Sequence, residues 1–225
     1  MTNTTRASRA EHPRTPETWT AIIPVRSFTE GKSRLLLDPR DGAPLDRYEM
    51  IRAFTTDVVR ACSASSHITR TVVVSPDEQV IEHARACGAD VAVETQPSGI
   101  NEAVTFARSD VHGPIAVILG DTPCLTGSIL DVVLDAAAGH DVSFVPDAAG
   151  VGTTIWCHSG PSPAHSHFGH HSRADHRLHG AYELGDGEHS YEWARARRDV
   201  DTDVDLWDAH RLGLGETTQQ LLTSR

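Results

Sequence analysis

Lysine is almost absent from this chain. Lys32 stands alone in 225 residues, and every other basic side chain is an arginine. Lysine is a compact, mobile point charge where arginine is a planar fork. A single lysine kept just after a hydrophobic strand suits a phosphate chain that must be held and then released. A chance survivor on a surface loop is the plainer alternative. Cationic charge is scarce overall: the formal net charge is −11. That balance excludes a broad nucleic-acid surface, which needs clustered Lys and Arg. The four cysteines, Cys62, Cys87, Cys124 and Cys157, are far apart with no C-x-x-C. They predict neither a disulfide framework nor a zinc knuckle, and read as reduced thiols of a cytoplasmic protein. No apolar run approaches the roughly 20 residues that a membrane helix requires. Residues 1–18 lack the hydrophobic centre of a signal peptide and carry Pro13 and Pro16. They are expected to form a disordered tail ahead of one domain over 19–225.

What is present is an alternation of short apolar runs and helical periods. Ala21-Ile22-Ile23-Pro24-Val25 reads as a strand, followed by a polar loop over 26–39 that carries Lys32. Leu45, Tyr48, Ile51, Phe54, Val58 and Cys62 recur at helical spacing. A strand over 71–74 leads to a helix opening at Pro76-Asp77-Glu78 and stopping at Gly88. A strand over 90–93, a helix over 100–108, a strand over 115–119, a helix over 127–138 and a strand over 142–145 follow. The run Ile115-Ala116-Val117-Ile118-Leu119 is the most apolar and belongs at the centre of a parallel sheet. Repeated β-α-β units predict a three-layer α/β fold with a mainly parallel sheet. In the last third, strands are expected over 152–157 and 194–200. A helix is expected to start at Ser172, where Ser172-Arg173-Ala174-Asp175 fits a capping box. A last helix follows Asp203.

Ligands of open α/β sheets bind beyond the carboxyl ends of the strands. Lys32, Asp121 and the pair Asp199 and Asp201 are all expected there. The i, i+2 spacing sends both members of that pair to one side of an extended backbone. Three carboxylates near a lysine point to Mg²⁺ and a nucleoside triphosphate, because Mg²⁺ takes one or two carboxylates plus phosphate oxygens. The competing reading makes Asp121 a turn residue and Thr202 or Asp203 the cap of a following helix. Gly150-Val151-Gly152-Thr153 and Phe168-Gly169-His170-His171-Ser172-Arg173 offer backbone N–H groups and a helix start to an anion. An ordinary glycine turn and cap is again the alternative. Seven of the fourteen histidines lie over 158–179. Without H-E-x-x-H or a companion cysteine pair, they read as a solvated loop rather than a metal site.

Taken in order, Ile23-Pro24-Val25 with Gly31-Lys32-Ser33-Arg34-Leu35, Gly99-Ile100-Asn101, Gly120-Asp121-Thr122-Pro123, Gly150-Val151-Gly152-Thr153, Phe168-Gly169 with Ser172-Arg173, and Asp199-Val200-Asp201-Thr202 form a recognisable set. The set resembles the phospholactate and phosphoenolpyruvate guanylyltransferases of coenzyme F-420 biosynthesis. The resemblance implies a nucleotide-diphosphosugar-transferase-like fold that uses GTP and a three-carbon phosphoacid, phosphoenolpyruvate or 2-phospholactate. It implies two Mg²⁺ ions on Asp121, Asp199 and Asp201. It places the phosphoacid on Thr153, Gly169 and Ser172, and Lys32 on the triphosphate of GTP. Arg173, at the same helix start, is a further candidate for the phosphoacid, Arg26 and Arg34 for the pyrophosphate end of the nucleotide, and Asn101 for its base. This chain departs from the family pattern at Arg26, usually a lysine, and at Thr122, Val151 and His170-His171. Rival readings are a transferase of the same fold that loads a pterin or sugar phosphate, and a non-catalytic histidine-rich module.

Overall fold

A computed structural model describes residues 18–30, 32–35, 46–96, 99–185 and 187–224. Residues 1–17 of the tail expected over 1–18, Gly31, the part of the expected loop beyond Leu35, and Leu45 of the expected helix face lie outside the described residues. The elements run β1 (Trp19–Pro24), α1 (Arg47–Ala64), β2 (Ile68–Ser75), α2 (Glu78–Ala86), β3 (Asp90–Val93), α3 (Ile100–Arg108), β4 (Ile115–Ile118) and α4 (Gly127–Ala137). They continue with β5 (Val142–Pro146), β6 (Thr153–His158), α5 (Ser172–Leu178), β7 (Tyr182–Glu183), α6 (Ser190–Ala196), α7 (Asp203–Leu212) and α8 (Glu216–Thr223).

The strands form one seven-stranded sheet in the order β3-β2-β1-β4-β6-β5-β7. All neighbouring pairs are parallel except those of β6, which runs antiparallel to both β4 and β5. The apolar run predicted to be central does occupy the middle position, as β4. Side-chain alternation along the buried strands separates two cores. Ala21 and Ile23 of β1, with Ala116 and Ile118 of β4, face one side and meet Val58, Val59, Val80, Leu130 and Trp193. Ile22, Ile115 and Val117 face the other and meet Val104, Phe144, Trp156 and Phe168. Helices therefore cover both faces, as the β-α-β pattern requires. No helix among the described residues is long and apolar enough to cross a membrane.

Several local expectations change. No strand forms over 194–200: residues 194–196 end α6, because Trp193 and Ala196 are buried three residues apart on a helical face, and 197–200 are irregular. Asp77 caps α2 by accepting from the Gln79 N–H, so Pro76 lies outside the helix. Ser172 opens α5 without a capping box; its hydroxyl is drawn away to Thr153. The short β7 and the closing α8 have too little periodicity to be read in advance. Asp57 of α1 accepts from the N–H groups of Thr217 and Thr218 at 2.8 and 2.9 Å, capping α8 from across the chain.

Candidate active site

The carboxyl ends of β1, β2, β4 and β5 share one edge of the sheet. Since β6 is antiparallel, its first residue, Thr153, reaches that edge too. The turn after β4 carries Asp121 over the end of β1. Gly120 makes this possible, because a Cβ there would stand 3.0 Å from the Val25 side chain. Thr122 closes the turn by donating to the Leu119 carbonyl at 2.8 Å.

Two loops distant in sequence meet over this turn. Leu35 and Val200, both fully buried, share a small core with Met50, Phe54, Cys124 and Leu206. Leu35 anchors the Lys32 loop and Val200 anchors the Asp199–Asp201 segment. The Val200 N–H also donates to the Asp121 carbonyl at 3.0 Å. Thr202 then caps α7 in a reciprocal box with Asp205. The capping alternative therefore holds for Thr202 and leaves Asp199 and Asp201 upstream of the helix.

Lys32 has a left-handed backbone, φ 49°, which is uncommon for a residue with a side chain. Its ammonium donates to both Asp121 Oδ2 and Asp201 Oδ1. Burial works against that charge, but the two carboxylates outweigh it and raise the Lys32 pKa above the ordinary lysine range. The remaining oxygen of Asp121, Oδ1, is buried without a hydrogen-bond partner. Asp199 is pushed up to about 7, first by burial and then by the charges of Asp121, Asp201 and Asp147. One ammonium thus serves a group of carboxylates that exceeds its charge. Among the described residues, no three His, Cys, Asp or Glu side chains are gathered as a ready-made metal cage. Lys32 stands between the Asp121 and Asp201 carboxylates. Arg34 lies beside them in an open cavity lined also by Lys32, Ser33 and Asp201.

The second half of the edge is neutral. Ser172 Oγ donates to Thr153 Oγ1 at 3.1 Å, and the same oxygen lies 3.0 Å from His176 Nδ1. Gly169 sits just before this group with φ 153°, which favours glycine. Asn101 does not face an open pocket. Its Nδ2 donates to the Phe168 carbonyl at 2.9 Å, while its Oδ1 accepts from the Phe168 N–H at 2.8 Å and from Ser166 Oγ at 3.0 Å. The side chain reads the backbone of the 166–168 segment in both directions, which leaves little of it for a nucleobase.

Arg173 is also committed. Its guanidinium holds Glu183 through Nε at 3.0 Å and Nη2 at 2.8 Å, and Nη1 donates to the Gly150 carbonyl. Its position ties α5 to β7 and to the β5–β6 hairpin. The glycine turn of that hairpin differs from expectation as well: the Val151 and Gly152 N–H groups donate to Asp147 at 2.8 Å each rather than facing an anion. Arg26 is exposed and pairs with Glu30 at 3.3 Å. It borders a cavity of about 190 Å³ with Pro24, Val74, Pro76, Glu94 and Ile100.

Two residues at this edge escaped the sequence reading. His176 was hidden among the other histidines of a segment taken as solvated. Glu94 follows β3 with no motif around it. A histidine four residues after Ser172, on the same helical face, was the available signal for the first.

Comparison with known proteins identifies the family and the fold. The family described as guanylyl transferase CofC like matches residues 19–224. A phosphoenolpyruvate guanylyltransferase of Streptomyces avermitilis is 34% identical over 205 residues, covering 89% of this chain and 92% of that protein. One from Streptomyces coelicolor is 35% identical over 206 residues, with 89% and 93% covered. Among solved structures, a Desulfovibrio desulfuricans protein assigned to the nucleotide-diphospho-sugar transferases superposes with a TM-score of 0.66. It is 16% identical and covers 92% of this chain and 94% of its own, so it shows the fold alone.

Proposed function

Because the chain belongs to the CofC-like guanylyl transferase family, we propose that it transfers GMP from GTP to phosphoenolpyruvate, releasing pyrophosphate. The observation that carries this reading is the Lys32 ammonium between Asp121 and Asp201, with Asp121 Oδ1 left buried and unpartnered. A phosphate oxygen of the acceptor attacks the α-phosphorus of GTP in line; the new O–P bond forms as the bond to the β-phosphate oxygen breaks. The attacking group is already an anion at neutral pH, so no general base is required. The difficulty is electrostatic, since two polyanions must meet inside a protein of net charge −11.

The donor set fits a divalent ion. Two or three carboxylates with one open oxygen suit Mg²⁺, which keeps several waters and fills its remaining positions with phosphate oxygens. Asp121, Asp199 and Asp201 would hold it. When bound, such an ion neutralises charge and aligns the attacking and leaving oxygens. Lys32, freed from the aspartates, would turn to the triphosphate with Arg34 beside it. Its single long stem can make that move, whereas a bidentate arginine would resist it. Thr153, Ser172 and Gly169 would hold the phosphoacid, and the contribution is largely positioning. Arg173 acts there through the hairpin it fastens.

We place guanine in the cavity bordered by Pro24, Arg26, Pro76 and Glu94. The Glu94 carboxylate is acceptor-only and matches the N1–H and N2–H groups that distinguish guanine from adenine. The four cysteines are unpaired, which suits a reducing compartment, and we assign the reaction to the cytoplasm.

Pyrophosphate release, measured for each NTP against phosphoenolpyruvate, 2-phospholactate and 3-phosphoglycerate, tests the assignment. GTP with phosphoenolpyruvate is expected to dominate. Turnover confined to CTP, or to a sugar or pterin phosphate, overturns it. Glu94→Gln is expected to cost GTP about tenfold in kcat/KM, the effect of losing one charge-assisted hydrogen bond. It should leave the acceptor KM unchanged.

A further inference from the structure

His176 is fully buried on α5, beneath the pair of hydroxyls assigned above to the acceptor. Its ring lies between Phe144 and Phe168, with centroids 5.3 and 5.5 Å away. Both ring nitrogens are engaged. Nε2 faces the backbone N–H of His167 at 2.9 Å, and a backbone amide can only donate. Nε2 is therefore the bare, accepting nitrogen. Nδ1 faces Thr153 Oγ1 at 3.0 Å, and in a neutral imidazole the single proton must then sit on Nδ1.

The consequence falls on Thr153. A hydroxyl has two lone pairs and one proton. Both lone pairs of Thr153 Oγ1 are filled, one by His176 Nδ1–H and one by the Ser172 Oγ–H at 3.1 Å. Its own proton meets no acceptor among the described residues. We infer that His176 is a positioning residue which fixes the polarity of the acceptor site, turning the Thr153 hydroxyl into a one-way donor toward an anionic oxygen of the phosphoacid. The inference rests on the reading of Thr153 and Ser172 as acceptor contacts.

The opposite tautomer would have the opposite effect. Nδ1 would then take the Thr153 proton, and a lone pair would face the incoming carboxylate or phosphate. Burial keeps the imidazole neutral by lowering its pKa to about 4, aided by the neighbouring His167 and His179 and opposed by Asp175 and by a hydrogen bond to the Ser172 backbone. The chain of donors thus runs in one direction: the His167 amide to Nε2, then Nδ1 to Thr153, then Thr153 to the ligand. A buried network with every member satisfied but one terminal donor is prepared for an anion at low reorganisation cost.

The tautomer can be read directly. Long-range ¹H–¹⁵N spectra of histidine-labelled wild-type protein at neutral pH should show His176 as the neutral Nδ1–H form. An Nε2–H form or an imidazolium overturns the inference. In steady-state kinetics, His176→Leu should raise the phosphoenolpyruvate KM about tenfold or more, with the GTP KM unchanged. His176→Gln keeps one donor and one acceptor and should recover most of the loss. In a Thr153→Val background, His176→Leu should add no further penalty on acceptor KM. An equal penalty in both backgrounds, or a matching rise in GTP KM, means a general packing role and overturns the inference. If the leucine variant does not fold, the glutamine variant and the wild-type spectrum decide. Wild-type protein that releases no pyrophosphate from GTP with any phosphoacid would remove the acceptor reading and this inference together. Active wild type with the wrong tautomer removes only the role of His176.

Discussion

The two halves of the sheet edge solve opposite problems. Around Asp121 the charges are unbalanced: one ammonium lies among several carboxylates, and one carboxylate oxygen is buried and unmet. Around Thr153 the polar groups are neutral and joined in a directed network through Ser172, His176 and the His167 backbone. The first half needs something from outside to complete it, and the second is complete except for one donor. The difference follows from the ligands. On the proposed function, a cation and a triphosphate would arrive and leave in each cycle, so their site would have to exchange partners. The small acid of the same proposal would have to be oriented, which suits a site built in advance.

The contrast can be tested at several strengths. Asp121→Ala and Asp201→Ala should each lower turnover by about a thousandfold or more, with far-UV circular dichroism unchanged. Near-normal pyrophosphate release in either would place the chemistry elsewhere. Lys32→Arg should cost about tenfold to a hundredfold in kcat, since a fork cannot trade two aspartates for a phosphate as readily. Lys32→Met should bind Mn²⁺ more tightly than wild type without nucleotide, as seen by titration calorimetry; weaker binding would show that ammonium and cation do not compete.

On the neutral side, Asn101→Ala leaves the buried Phe168 N–H and carbonyl without their side-chain partners. Thermal unfolding should register a loss of about 1–3 kcal/mol. The acceptor KM should rise while the GTP KM holds, and a rise in GTP KM alone would return Asn101 to the nucleotide. A further effect concerns acid stability. The folded-state pKa of His176, about 4, lies below the usual histidine value, so between that value and pH 6.5 the unfolded chain binds the extra proton. Stability should therefore fall as pH drops from about 6.5 to 4, by at most about 3 kcal/mol from this group. His176→Gln should flatten that part of the urea-unfolding profile; an unchanged slope would assign the acid sensitivity to other groups.

Much of the scaffold was legible from residue order. The continuous apolar runs of β1 and β4, the i, i+3, i+4 face of α1, and α3 over Ile100–Arg108 follow from local patterning. α6 was misread because a short Ala- and Arg-rich run carries too little period, and burial of Trp193 and Ala196 settles it. Side-chain commitments were less legible than side-chain positions. Arg173 and Asn101 occupy the expected edge, but their hydrogen bonds are spent on Glu183, Gly150 and Phe168. Residue type announces what a group can bond, and neighbours decide which bonds it has left.

Lys32 shows where that division lies. Its solitary place after the first strand and the three aspartates following later segments are properties of the linear chain, because strand ends set the sheet edge. That the ammonium stands between Asp121 and Asp201 depends on Leu35 and Val200 sharing one buried cluster. That Thr153 reaches the same edge depends on β6 running antiparallel. Both are long-range packing outcomes, in which burial of apolar surface selects among arrangements that local pattern treats alike.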